Sequence, residues 1–181
     1  KILDLGYPGG PNVEKFSKLG KKDSYILPQP IINRGGCNLS LAGLKTDVLR
    51  KARNIKSDKE KYDLAASFQE TINKILKKKT EVAMSQFRDE TSDKSIKYFV
   101  VAGGVAANET IRKSLKEVSY KMNFKPIFPS KEFCGDNAAM IAWAGIKRYK
   151  KKLYQKKNDT VKSRWPLDAN APFLKGPGLK L

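Results

Sequence analysis

Residues 97–149 read KYFVVAGGVAANETIRKSLKEVSYKMNFKPIFPSKEFCGDNAAMIAWAGIKRY, and this stretch decides the fold. The β-branched and aromatic run at residues 98–101 predicts a buried strand. Ile111, Leu115 and Val118 then recur at helical spacing, and a short strand and a second helix follow them. Two sharp turns therefore come directly after two strands, where α/β proteins place functional groups.

The first turn contains Gly103 and Gly104 and ends at Asn108. Glycines adopt backbone angles that other residues avoid, and they let a flat or charged ligand approach the main chain. The turn is neither GxGxxG nor the GxxxxGK[ST] phosphate loop, so the residues indicate a pocket without naming its ligand. A tight connection followed by a capping asparagine explains the same pattern.

The second turn places Asp136 just before a helix that carries Met140, Trp143 and Ile146 on an apolar surface. Asp136 suits a helix N-cap. It also lies where a functional carboxylate is expected, outside the carboxyl end of a strand. Spacing alone leaves both roles open.

Near its start the chain has the turn-forming segment GYPGGPN, in which Gly9 and Gly10 can present bare backbone to a ligand. A plain surface turn is the alternative. Asn12 is predicted to precede a short amphipathic helix that ends at Gly20. Glu14 is expected in the first turn of that helix, where it favours the helix dipole and is within reach of anything the glycines bind.

A long helix is predicted over residues 58–79, because Leu64, Phe68 and Ile72 fall close to one face while lysines fill the other. The pattern continues weakly as far as Phe87. The polar segment DETSDKS then predicts a loop before the central strand.

The length of 181 residues suits one domain or one lobe of a larger protein, and an apolar content of 40% is enough for a core. The chain lacks an initiator methionine, a leader, and any run near the roughly 18 apolar residues of a membrane helix. These features predict a soluble cytoplasmic protein that is a fragment, or a processed product, of a longer one.

The formal charge of +19 favours a polyanionic partner such as nucleic acid, although a general lysine bias of the source would give the same excess. Beyond Tyr149 the chain interleaves basic residues with Tyr154 and Trp165, which suits either phosphates and stacked bases or a solvated helix face.

The chain has no histidine. That excludes a Ser-His-Asp triad, a Cys-His pair and an HExxH zinc site within these residues. Cys37 and Cys134 lie far apart in sequence and form no CxxC motif, so two buried or inert thiols in a reducing cytoplasm are expected.

The segments GYPGGPNVE, LAGLKTDV, DLAASFQETI, VVAGGVAANETIR and FPSKEFCGDNAAMIAWAG together resemble the TsaD/Gcp family across nearly the whole chain. The resemblance implies an enzyme, once described as an O-sialoglycoprotein endopeptidase, that moves threonylcarbamoyl from threonylcarbamoyl-AMP to the adenosine beside the anticodon of tRNA. It also implies an α/β fold of the actin/Hsp70/sugar-kinase (ASKHA) superfamily, with an RNase-H-like lobe.

The resemblance also implies site residues. Gly10 is similar to a family glycine that contacts the nucleotide, and Glu14 to an acidic residue that accepts from ribose hydroxyls. Asn108 resembles the asparagine that ends the family's GGVAAN motif, with Gly103 and Gly104 as the floor against the adenosine. The metal ligand is expected at Asp136. No residue of the chain is expected to act as a nucleophile.

The chain departs from the family pattern at several points. The family's HxxxH metal ligands and its substrate-binding aspartate would fall before Lys1, its SGGH loop is missing, and Ala42 replaces a frequent serine. The resemblance therefore predicts a partial chain. Its nucleotide-binding lobe would span residues 1–148, with a helical insertion at about 38–90, and a basic helix and irregular tail would follow at 149–181.

The cofactors implied are one divalent metal, either iron or zinc with magnesium as a further choice, and an adenine nucleotide (threonylcarbamoyl-AMP, ATP or AMP). The implied partners are tRNA and proteins of the TsaB, TsaE and TsaC kinds, with no membrane. Two other hypotheses compete. One is a non-catalytic actin-like module that binds nucleotide or RNA, and the other is a metal-dependent glycoprotease. A sugar kinase fits the motifs less well.

Overall fold

The computed structural model describes residues 1–93 and 95–153 of a helix-rich α/β chain, which divides into two compact units at residues 1–137 and 138–181. The first unit contains helices α1 (Gly9–Ser17), α2 (Leu44–Ala52), α3 (Asp58–Glu90) and α4 (Glu109–Lys121) and strands β1 (Tyr98–Val100) and β2 (Lys125–Ile127). Single 3-10 turns lie at Gly104–Ala107 and Lys131–Phe133. In the second unit, α5 spans Ala138–Lys150.

Helix α3, of 33 residues, is the longest described element. It begins where the sequence predicts, because the Ser57 side chain accepts the Glu60 N–H and the Glu60 carboxylate accepts the Lys56 N–H. The weak pattern beyond residue 79 is helix as far as Glu90. Met84 is buried there, so tertiary packing supports a stretch whose own periodicity is poor.

The apolar residues of the first unit form two clusters. One joins the chain start, α2 and the first half of α3. The other joins the second half of α3 to α4 and the sheet. The first contains Leu3, Leu27, Leu44, Val48, Leu64 and Ala65, and the second contains Met84, Val118 and Phe124. Helix α3 therefore connects both cores.

Strands β1 and β2 pair in parallel, with Phe99 opposite Pro126. The two predicted strands are confirmed, but the prediction that the first is buried is wrong. Tyr98 and Val100 are 60% and 63% exposed, while Phe99 packs against the second cluster. Side chains alternate across a strand, and only the Phe99 face is covered by α3 and α4.

Helix α1 differs from its prediction at both ends. It begins at Gly9 and ends at Ser17, so Asn12 lies inside the helix and Glu14 is beyond the first turn. Pro11 has no N–H to leave unpaired there, which suits the first turn of a helix. Gly20 has a packing role instead of a capping one, since a Cβ at this position would lie 2.0 Å from the Tyr62 carbonyl oxygen.

Helix α5 of the second unit begins at Ala138, just after the predicted Asp136-Asn137 start. Its last turn carries Lys147, Arg148 and Lys150, which favour the carboxyl end of the helix dipole. The predicted tail contacts at Tyr154 and Trp165 lie outside the described residues. Within the described part of the chain, no helix has the length and hydropathy needed to cross a bilayer.

Candidate functional site

A cavity of about 730 Å³ lies in the first unit between α1, α3, the 3-10 turn after β1 and the start of α4. Gly10, Glu14, Gly104 and Asn108 all line it, together with Gln69 and apolar residues of α3 and α4. Gly103 is not among the residues that line the cavity; it precedes the 3-10 turn with φ of 91°, a conformation that favours glycine. Folding thus gathers residues that come from separate motifs of the sequence.

Gly10 and Gly104, two of the three glycines that line the cavity, are not required by packing. A methyl group added at Gly10 or at Gly104 would meet no atom within 4 Å. Bare backbone therefore faces open space on both sides of the cavity, so a flat ligand can approach the main chain closely. Gly10 is also in the first turn of α1, whose N–H groups have no partner within the helix.

Glu14 links α1 to α4. Its Oε1 accepts the backbone N–H of Glu109 at 2.8 Å, at the first residue of α4. A carboxylate at this point satisfies an orphan helix donor and favours the positive end of the helix dipole. The predicted closeness of Glu14 to the glycines is found, and its bond to α4 is a contact that the sequence did not indicate.

Asn108 is the N-cap of α4, so the capping role that the sequence suggested for it is found. Its Oδ1 accepts the Ile111 N–H at 3.1 Å. Its Nδ2 donates to Oε1 of Gln69 at 2.8 Å. The amide is therefore held at both ends while it lines the cavity wall.

Gln69 lines the cavity although no motif of the sequence indicated it. Only 8% exposed, it donates through Nε2 to Ser17 Oγ at 2.8 Å and to Thr110 Oγ1 at 3.3 Å. The available signal was a polar residue beside Phe68 on the inward face of a long amphipathic helix. Such a residue needs buried partners, because an unpaired buried amide is costly.

Lys131 brings a positive charge to the cavity lining and pairs with Glu109 at 2.5 Å. The hydrogen bond from Lys131 lowers the pKa of the Glu109 carboxyl, against a smaller opposing effect of desolvation. Both side chains are more than half exposed, so the pair contributes little to stability.

Asp136 is exposed and is not among the residues that line this cavity. Within residues 1–93 and 95–153, no three His, Cys, Asp or Glu side chains come together in a group that could hold a metal ion. Among the described residues, the predicted ligand Asp136 is therefore not part of a complete metal site.

The loop before Asp136 is anchored by Arg112 of α4. The guanidinium donates to Pro129 O at 2.6 Å and to Cys134 Sγ at 3.1 Å, and also to Ala106 O in the 3-10 turn. One side chain thereby ties the loop that leads to Asp136 to the turn that contributes Gly104 to the cavity. Cys134 is 3% exposed, whereas Cys37 is exposed, so burial is found for only one of the two thiols.

A profile of one protein family, described as TsaD, tRNA N6-adenosine threonylcarbamoyltransferase, matches residues 1–143. The chain belongs to the TsaD family. The match includes α1, α3, both strands, α4 and Asp136. The resemblance indicated by the sequence motifs is therefore confirmed.

Relatives in the TsaD family support the same conclusion. The chain is 50% identical over 181 residues to the tRNA N6-adenosine threonylcarbamoyltransferase of Pelagibacter ubique (strain HTCC1062). This alignment covers 100% of the chain and 50% of the relative. The protein of that name in Rickettsia rickettsii (strain Sheila Smith) is 44% identical over 93% of the chain and 49% of its own length. The chain spans about half the length of these curated relatives.

Proposed function

We propose that this chain forms the nucleotide-binding half of an enzyme that transfers threonylcarbamoyl from threonylcarbamoyl-AMP to the adenosine beside the anticodon of tRNA. One observation carries the proposal: Gly10, Glu14, Gly104 and Asn108, from motifs far apart in the sequence, line one cavity of about 730 Å³. Volumes of 300–1,000 Å³ are typical of small-ligand sites, so the cavity suits a mononucleotide.

The residues present fit an adenylate. The open backbone at Gly104 offers a surface for the flat face of a purine, and Phe68, Ile72 and Ile111 provide apolar lining. Carboxylate oxygens accept hydrogen bonds from ribose hydroxyls, and Glu14 has a second oxygen besides the one bonded to Glu109. We propose that Gly10, Glu14, Gly103, Gly104 and Asn108 hold the adenylate.

The proposed reaction needs positioning more than protein nucleophiles. The N6 amine of the tRNA adenosine attacks the activated carbonyl, a C–N bond forms, the C–O bond to phosphate breaks, and AMP leaves while the amine loses a proton. The amine is itself the nucleophile. This chain would contribute by fixing the adenylate so that the carbonyl meets the amine in a reactive geometry.

We propose Asp136 as one ligand of a divalent metal, iron, zinc or magnesium. A lone exposed carboxylate does not hold such an ion against water, and coordination needs three or four protein groups. The described residues therefore do not complete the metal site. Asp136→Asn in the complete protein is expected to lower the metal content measured by elemental analysis, and an unchanged content would contradict this role.

The wider assignments belong to the same proposal. The chain would be part of an ASKHA-type protein, with an RNase-H-like lobe at residues 1–148 that has a helical insertion at about 38–90, followed by a basic segment at 149–181. The charge of +19 supports tRNA as partner. A cytoplasmic location and contacts with TsaB-, TsaE- and TsaC-like proteins follow from the proposed activity.

Calorimetric titration of the complete protein with AMP and ATP tests the nucleotide role, with GMP and Asn108→Ala as controls. Adenine nucleotides are expected to bind more tightly than GMP, and binding is expected to weaken in Asn108→Ala. A folded protein that binds none of them would contradict the proposal. Steeply salt-dependent tRNA binding that ignores nucleotide would instead support a non-catalytic RNA-binding module.

A further inference from the structure

We infer that Gln69 is a positioning residue for the adenine nucleotide, acting by fixing the side chain of Asn108 and joining it to α1 across the cavity. The inference rests on the proposed function of the cavity. It assigns to α3 a role in ligand binding that the glycine and asparagine motifs do not contain.

The donor and acceptor ends of the Gln69 amide are fixed by its bond to Ser17 of α1. Ser17 Oγ donates its single proton to the Glu14 carbonyl oxygen at 2.9 Å. In its bond to Gln69, Ser17 Oγ can then only accept, so the group 2.8 Å away must be the Gln69 amide nitrogen. The structure therefore orients the Gln69 amide with its nitrogen towards α1.

The same direction continues to α4. With its nitrogen at Ser17, Gln69 turns Oε1 to Asn108 and accepts from Nδ2 at 2.8 Å. The Asn108 oxygen is then the atom that faces the Ile111 N–H, at 3.1 Å. Rotating either amide by half a turn would oppose two acceptors or two donors, so Gln69 and the Ile111 N–H together fix the orientation of Asn108.

This network of hydrogen bonds lies at the cavity wall and is partly shielded from water. Gln69 is 8% exposed, and both Gln69 and Asn108 line the cavity. Hydrogen bonds in such surroundings are stronger than in water, and a break in the network is correspondingly costly. Asn108 Nδ2 has a second N–H that takes part in none of the hydrogen bonds among the described residues. The network therefore holds a donor ready for the ligand.

Gln69→Met removes the amide and keeps the length of the side chain. Asn73→Leu is the matched control, because Asn73 lies one turn further along α3, is 9% exposed and donates to Ser114 of α4 at 2.8 Å. Asn73 does not line the cavity. Both variants thus lose a buried tertiary hydrogen bond to the neighbouring helix, and only one touches the nucleotide site.

We expect Gln69→Met to raise the Kd for AMP about tenfold in the complete protein, the effect of losing one or two hydrogen bonds. Asn73→Leu is expected to stay within about twofold. Both are measured by calorimetry at a temperature where circular dichroism shows each variant folded. Equal effects of the two variants on the Kd would assign Gln69 a structural role only and overturn the inference.

A double-mutant cycle gives the sharper test. If Gln69 acts through Asn108, Gln69→Met combined with Asn108→Ala binds AMP no more weakly than Asn108→Ala alone. Additive losses would overturn the inference. Failure of the wild-type protein to bind AMP would instead refute the proposed function, so the two failures are distinguished by the wild-type titration.

Discussion

The carboxylate of Glu14 accepts the backbone N–H of Glu109 at 2.8 Å, although the two residues are 95 positions apart in the chain. Glu109 takes part in this contact only through its backbone, because its side chain pairs with Lys131. This single contact closes one side of the cavity, since it fixes the middle of α1 to the first residue of α4.

Glu14→Gln is expected to lower the free energy of unfolding by about 0.5–1 kcal/mol, because a neutral acceptor interacts less with the helix N-terminus. The AMP affinity is expected to fall as well. Chemical denaturation and calorimetry measure the two effects. Glu70→Gln removes a charge from the α3 pair of half-buried Glu70 with exposed Lys74, serves as the control, and is expected to leave the affinity unchanged.

Asn108→Asp separates capping from donation. The carboxylate keeps an oxygen for the Ile111 N–H, so the variant is expected to escape most of the roughly 1 kcal/mol that a lost cap costs in Asn108→Ala. It cannot donate to Gln69 or to a ligand. We therefore expect AMP binding to weaken in both variants, and full affinity in Asn108→Asp would show that the amide N–H is not used.

The Lys131 hydrogen bond keeps the pKa of Glu109 below its ordinary value of 4.5, so the contact stabilises the folded chain above that pH. The stabilisation is lost as the pH falls through the lowered folded-state pKa. The melting temperature of the wild-type protein should therefore drop more on acidification below pH 4.5 than that of Lys131→Gln.

Lys113→Gln, an exposed position on α4, controls for the change in net charge in that experiment. It is expected to keep the wild-type pH dependence. Parallel melting curves for wild type and Lys131→Gln across this range would show that the ion pair does not stabilise the folded protein.

Gly20→Ala is expected to destabilise the protein by about 2–3 kcal/mol, because the new methyl would overlap the Tyr62 carbonyl at 2.0 Å and force α1 away from α3. Gly35→Ala meets no atom within 4 Å and is the matched control, with an expected change within about 0.5 kcal/mol. Urea unfolding measures both. Equal stabilities of Gly20→Ala and Gly35→Ala would mean that the segment at Gly20 can shift away from α3 without cost.

Gly10→Ala should behave in the opposite way. Alanine is a better helix former by about 0.5–1 kcal/mol and meets no atom here, so the unfolding free energy is expected to be maintained or to rise. The methyl nevertheless projects at the cavity wall and should raise the Kd for AMP. A variant that is both stable and fully competent in binding would remove Gly10 from the proposed site.

Much of the local structure could be predicted from the sequence because its causes are local. Ser57 at the start of α3, Asn108 at the start of α4 and the parallel strands around it all follow from capping chemistry or periodicity. The predicted start of α1 was wrong because paired glycines suggest a turn, whereas in the structure they form the first turn of the helix. The prediction that β1 is buried was wrong, because a run of apolar residues does not indicate which faces of the strand other elements cover.

The candidate site could be predicted only in part, for the same reason. Gly10, Glu14, Gly104 and Asn108 were identified from their motifs, and folding brings them to one cavity. Gln69 and the bond from Glu14 to Glu109 depend on contacts 39 and 95 residues apart, for which no local pattern exists. Such partners become visible only when the helices are placed in space.

The length of α3 has a consequence for folding. At 33 residues it extends about 50 Å, and its two halves belong to different apolar clusters. Neither cluster can open completely without fraying the helix that the other needs, so the two cores are expected to melt as one cooperative unit. Hydrogen exchange at the central amides of α3 should therefore report global unfolding, and a ligand held beside Gln69 should slow exchange in both clusters at once.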